Sequence, residues 1–191
     1  MKKKKFDVNT TINNPLHGGA ILSIAAIQEL IDVINYLLEK KAIPSQGVIS
    51  AILKGNVEIL KKLFEYGATA KDNYSEDLVA LLVNAAIPAN DPTYCKSSNS
   101  ETKEDLSNYV KTLEFLLKHG GNPNAEILER GTVILIVLSA LMDEPKNDKY
   151  KAIGKLLIKH GADTPKFKSY TEIINNLIIE EIIEKVIQEK K

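Results

Sequence analysis

Apolar residues recur along most of the chain at intervals of three and four, the spacing that lines one face of a helix. That pattern predicts helices over residues 17–29, 31–40, 46–54, 57–66, 75–86, 105–118, 132–142, 149–160 and 170–189. From Ile87 to about Glu104 the pattern lapses into a polar run rich in Asn, Ser and Thr. Pro88 ends the helix before it, because proline lacks the amide a continuing helix needs. Val133 to Met142 is apolar except for Ser139, and ten residues cannot cross a bilayer core of about 30 Å, so a buried helix is expected there. In 170–189, Ile173, Ile174, Leu177, Ile178, Ile182, Ile183, Val186 and Ile187 predict an amphipathic stripe. It lies on one long helix or on a pair broken near Ile179–Glu180.

The helices come in pairs, and the pairs repeat. Leu22–Ile27 aligns without gaps on Val48–Leu53, and Ile31–Leu38 on Val57–Phe64. Four segments share one helix end: Tyr36–Ala42, Leu63–Thr69, Phe115–Asn122 and Leu156–Asp163. Each is an apolar stretch, a polar pair, then in three of the four a glycine. Glycine closes a helix there because it enters the left-handed region at least cost. Lys118, His119, Lys159 and His160 place positive charge beside the negative end of the helix dipole. The stops are spaced by 26, 53 and 41 residues. The long interval contains the 87–104 insert, and the last carries extra residues around Asp143–Lys149.

The unit of helix, short turn, helix and glycine stop resembles the ankyrin repeat. Leu116–Ala125, followed by Thr132, is the nearest approach to that family's pattern, and Gly67–Ala70 and Gly161–Asp163 match it in part. The resemblance spans roughly residues 15–170. It implies an all-α solenoid of four to five stacked helix pairs. The division expected is a polar, basic N-terminal segment (1–14), the repeat domain with its insert (15–170), and an amphipathic C-terminal helix (171–191) capping the stack.

Composition narrows the function. Twenty-five Lys+Arg balance 25 Asp+Glu, and Arg130 is the only arginine, so neither a basic stripe nor bidentate phosphate readout is supplied; no nucleic-acid partner is expected. No membrane partner is expected either. One cysteine, Cys95, excludes an intrachain disulfide and suits a reducing compartment. Met1–Lys5 is basic, but Phe6–Thr11 is polar, so no signal peptide is read. The location expected is cytoplasmic, or inside a host cell reached without a cleaved signal peptide.

No arrangement of reactive residues points to catalysis. His17, His119 and His160 lack metal-ligand spacing, and the last two hold equivalent positions in successive units, roughly 8–10 Å apart. Cys95 lies in a polar insert beside Lys96. No phosphate-binding glycine loop is present. We therefore expect no enzyme, no cofactor and no metal. The ankyrin resemblance implies a protein partner gripped by the inter-unit loops and first helices. Carried over by loop position, that surface includes Asn73, Tyr74, Glu129, Arg130, Lys168 and Tyr170; the insert is either a tolerated flexible loop or a binding loop with Tyr94 as its apolar anchor. A eukaryote-like repeat, AT-rich codon bias and a Glu-rich tail suggest a bacterial protein delivered to a host. The alternatives are a self-associating structural protein and an enzyme with an unrecognised site.

Overall fold

The computed structural model describes residues 7–12, 19–72, 77–87, 103–165 and 168–188, without the side chains of 103–106, 168–169 and 181–188. Its helices are α1 (Ile21–Ile27), α2 (Ile31–Glu39), α3 (Val48–Leu53), α4 (Val57–Glu65), α5 (Leu78–Ala86), α6 (Lys103–Lys118), α7 (Val133–Asp143), α8 (Asp148–Lys159) and α9 (Lys168–Gln188). A 3-10 turn, Pro44–Gly47, leads into α3. Two short antiparallel hairpins join β1 (Thr11–Ile12) to β2 (Gly19–Ala20) and β3 (Glu126–Ile127) to β4 (Gly131–Thr132). The predicted helices are present, with ends shifted by a few residues.

The helices build two layers. The first helices of the pairs, α1, α3, α5 and α7, pack in succession, and α9 continues that row. The second helices α4, α6 and α8 form the other row. Between the rows lies one continuous core, which includes Leu22, Ile34, Ile52, Leu60, Leu63, Leu82, Leu113, Leu116, Ile134, Leu138 and Leu157.

The sequence repeat is a backbone repeat. The turn between α1 and α2 closes with Leu30 N–H donating to Ala25 O, and the turn between α3 and α4 with Asn56 N–H donating to Ala51 O, both at 2.9 Å. The four helix stops also share one geometry. Ala42 donates to Leu37 O, Ala68 to Leu63 O, Gly121 to Leu116 O and Ala162 to Leu157 O, all at 2.9–3.0 Å. The residue before each donor is left-handed: Lys41, Gly67, Gly120 and Gly161, at φ 68°, 104°, 89° and 91°. Lys41 thus makes the same turn without glycine, at an expense of about 1 kcal/mol.

α9 docks through a close approach. A Cβ on Gly154 of α8 would lie 3.0 Å from Leu177 Cδ1, so the missing side chain is what seats Leu177. Ile174 and Leu177 are buried, and Glu180 accepts from both Lys151 and Lys155 at 3.0 Å. α9 is one continuous helix rather than a pair broken near Ile179–Glu180.

The two lysines hold the Glu180 carboxyl below its ordinary 4.5, chiefly by their hydrogen bonds. A depressed folded pKa stabilises above the unfolded pKa and is lost as pH falls through the folded value. Glu180→Gln is expected to weaken the protein by about 0.5 kcal/mol at neutral pH, for a half-exposed pair, and by less at an acidic pH that protonates Glu180. Urea melts of both proteins at the two pH values check this; an equal difference at both would mean the charge is not involved.

Candidate protein-binding face

The third inter-unit loop forms a hydrogen-bonded finger. After the α6 stop, Asn124 N–H is held by Asn122 Oδ1 at 2.9 Å, and Val133 N–H closes the base of the hairpin on Ala125 O at 2.9 Å. At the tip, Arg130 N–H donates to Ile127 O at 3.0 Å. Glu129 takes φ 63° and Gly131 φ 88°. Asn124 also ties this loop to the next: its amide donates to Gly161 O at 3.3 Å, and its Oδ1 accepts from Asp163 N–H at 2.7 Å.

Arg130 fixes the finger against the preceding unit. Its guanidinium donates to Ile87 O at 3.1 Å and to Asn84 Oδ1. Ile87 follows the last turn of α5, whose final carbonyls lack helical partners. A planar fork of donors suits that position, and lysine could not reproduce it. The tip of the finger carries Leu128, 88% exposed, between Ile127 and the exposed Glu129.

Beside the finger runs a groove of about 490 Å³ along α7. Leu135, Ile136, Ser139, Ala140, Asp143 and Glu144 line it from α7 and its C-terminal end, and Ile87, Arg130, Tyr150 and Tyr170 line it from neighbouring elements. A second cleft of about 480 Å³ lies between α4 and α6, lined by Lys61, Phe64, Phe115 and His119 among others. There His119 stacks on Phe115 at 4.0 Å, and its Nδ1 lies 2.7 Å from Phe115 O on its own helix. That arrangement ends a helix and packs a ring; it does not aim a nitrogen at a ligand. No group of three or more His, Cys, Asp or Glu able to hold a metal occurs among the described residues. No helix among them is long and apolar enough to cross a membrane.

Of the residues singled out from sequence, Arg130 and Tyr170 line the same groove, and Glu129 sits on the adjoining finger. Lys168 begins α9, but its side chain lies outside the described residues. Asn73, Tyr74, Tyr94, Cys95 and His17 also lie outside them. Sequence reasoning passed over Leu128, Asp143 and Tyr150. Leu128 had a signal: a large apolar residue in the turn of a polar loop. The other two are placed by tertiary packing of α7 against α8 and α9, which no local pattern reports.

Stacked helix pairs, a repeated left-handed stop and a projecting hairpin define an all-α, ankyrin-like repeat fold. Comparison with known proteins agrees. The chain is 83% identical over 184 residues to a protein of Rickettsia bellii (strain RML369-C) named "Putative ankyrin repeat protein". That match takes in 96% of this chain and 50% of the relative, so the chain spans about half the relative's length. A weaker similarity, 28% identity over 132 residues, links 65% of the chain to 19% of the small ribosomal subunit protein mS39 of Danio rerio. No protein-family model matches the chain.

Proposed function

We propose that this chain is a non-catalytic protein-binding module, and that it grips its partner with the β3–β4 finger and the groove along α7. The observation that carries the reading is Leu128. A leucine held 88% exposed at the tip of a doubly anchored hairpin gains nothing for the fold, and an apolar anchor beside a groove gains much for an interface. The relative named as an ankyrin repeat protein supports the class of function, because ankyrin resemblance implies protein recognition by such loops and first helices.

The test uses an exposed position, so folding is not at stake. Leu128→Asp should abolish capture of a partner that the unaltered chain retains, with an unchanged melt. Tyr36→Ser, an exposed position on α2 far along the array, should leave capture intact. Retention by the Leu128 variant would move the binding face elsewhere.

A further inference from the structure

We infer that the N-terminal end of the array, α1 and α2, is an open stacking face that takes one more helix pair of the same repeat type, joined through its own helix stop to Asp7. This stands apart from the finger and the groove along α7. The later units show what covers such a face. Eight residues before the left-handed residue of each stop lie Val33, Ile59, Thr112 and Ile153. The last three are at most 1% exposed, whereas Val33 is 40% exposed. Three residues to either side of Val33, Leu30 and Tyr36 are also exposed, while their counterparts in the later units are partly buried. In those units this face meets the unit before it. Asn56 of α4 donates to Glu29 in the α1–α2 turn at 2.7 Å. Tyr109 and Thr112 of α6 donate to Leu53 O and Gly55 O at the α3–α4 turn, both at 2.9 Å. The Lys149 ammonium of α8 lies 5.6 Å from the Tyr109 ring centroid. In the first unit the same face carries leucine, valine and tyrosine, side chains that a stacked neighbour would bury.

The backbone ahead of α1 points to the same occupant independently. Asn9 N–H is held by Asp7 Oδ1 at 3.0 Å, and Asn9 Oδ1 accepts from Ile43 N–H at 2.9 Å. Asn124 makes the same two bonds, with Asn122 Oδ1 at 2.9 Å and Asp163 N–H at 2.7 Å. Ile43 and Asp163 each lie two residues past a left-handed stop residue, and a hairpin strand begins two residues after Asn9 as it does after Asn124. Asn122 and Asn124 are the second and fourth residues after Gly120, at the stop of α6. Asp7 and Asn9 thus have the geometry of the tail of a unit, and what leads into that tail in the third unit is a helix pair. A second copy of the chain does not offer the matching side, because α9 occupies the far end of its array through Ile174 and Leu177. Half of the R. bellii relative lies outside the matched stretch, which is length enough for such a pair.

The test keeps the full chain and inserts a copy of residues 43–68, the second unit through its Gly67 stop, between Phe6 and Asp7. The extended protein should melt in one cooperative transition, about 5 °C above the unextended chain. Val33→Asp should move the melt of the unextended chain by no more than about 2 °C, because its side chain is exposed there, and should remove most of the rise in the extended one. A second extension, built from residues 19–42 and ending one residue past the Lys41 turn, covers the case in which the first copy fails to fold. No rise with either extension, or a Val33→Asp effect that is the same with and without them, would overturn the inference. Sedimentation of the unextended chain tests the other occupant: a dimer that Val33→Asp dissociates would assign the face to a second copy and overturn the inference likewise.

Discussion

Replacing Gly121 with valine is expected to lower stability by about 2–3 kcal/mol and the melting temperature by roughly 5–10 °C. Gly121 belongs to the stop after α6, where its N–H donates to Leu116 O at 2.9 Å. A Cβ there would lie 2.9 Å from that same carbonyl oxygen and 2.9 Å from Val79 Cγ2 of α5. The oxygen is backbone and cannot rotate away. Either the stop opens or α5 and α6 separate, and both loosen the middle of the array. Gly67 and Gly161 offer a contrast: a Cβ meets nothing within 4 Å at either, and only their left-handed φ resists substitution. Alanine at Gly67 should therefore be milder than valine at Gly121, near 1 kcal/mol. Thermal and urea melts of the two variants measure the difference, and equal losses would show that the close approach at Gly121 is not limiting.

Arg130→Ala is expected to remove about 2 kcal/mol and to free the finger. The variant leaves Ile87 O and the Asn84 amide oxygen without their charged donor at the end of α5. Arg130→Lys should restore little, because one ammonium cannot span both acceptors. Hydrogen exchange distinguishes this from a surface effect. Amides of 83–87 and 126–132 should lose protection together in Arg130→Ala, while α2 and α4 keep theirs. Unchanged protection in both segments would mean the finger is held by the Ala125–Val133 closure alone.

Much of this architecture was legible in the chain because its signals are local. An apolar three–four period, a glycine after Leu–Leu and a gap-free alignment of two neighbouring pairs report helix, stop and repeat, and each is written within about thirty residues. The first stop was legible even without glycine: Lys41 keeps the left-handed turn because Leu37 and Ala42 on either side are buried in the core. The sidedness of α9 was less so. Its isoleucines have helical spacing throughout, but which residues dock is decided by Gly154 and Lys155 on a different helix, α8, whose placement no periodicity within α9 reports. The candidate face was half legible. Loop position pointed to Glu129, Arg130 and Tyr170, which the structure brings to one groove and its adjoining finger. That Arg130 turns inward to α5, and that Asp143 and Tyr150 join Tyr170 across one groove, follows from contacts 20 to 46 residues apart.

The central claim is that partner binding takes place on the β3–β4 finger and α7. Hydrogen exchange followed by mass spectrometry, on the full chain with and without a saturating peptide selected on that chain from a phage-displayed random library, tests it most directly. The account predicts added protection in residues 126–132 and 135–144, with α2 and α4 unchanged. Protection confined to the cleft between α4 and α6, with 126–144 exchanging as in the free protein, would contradict it.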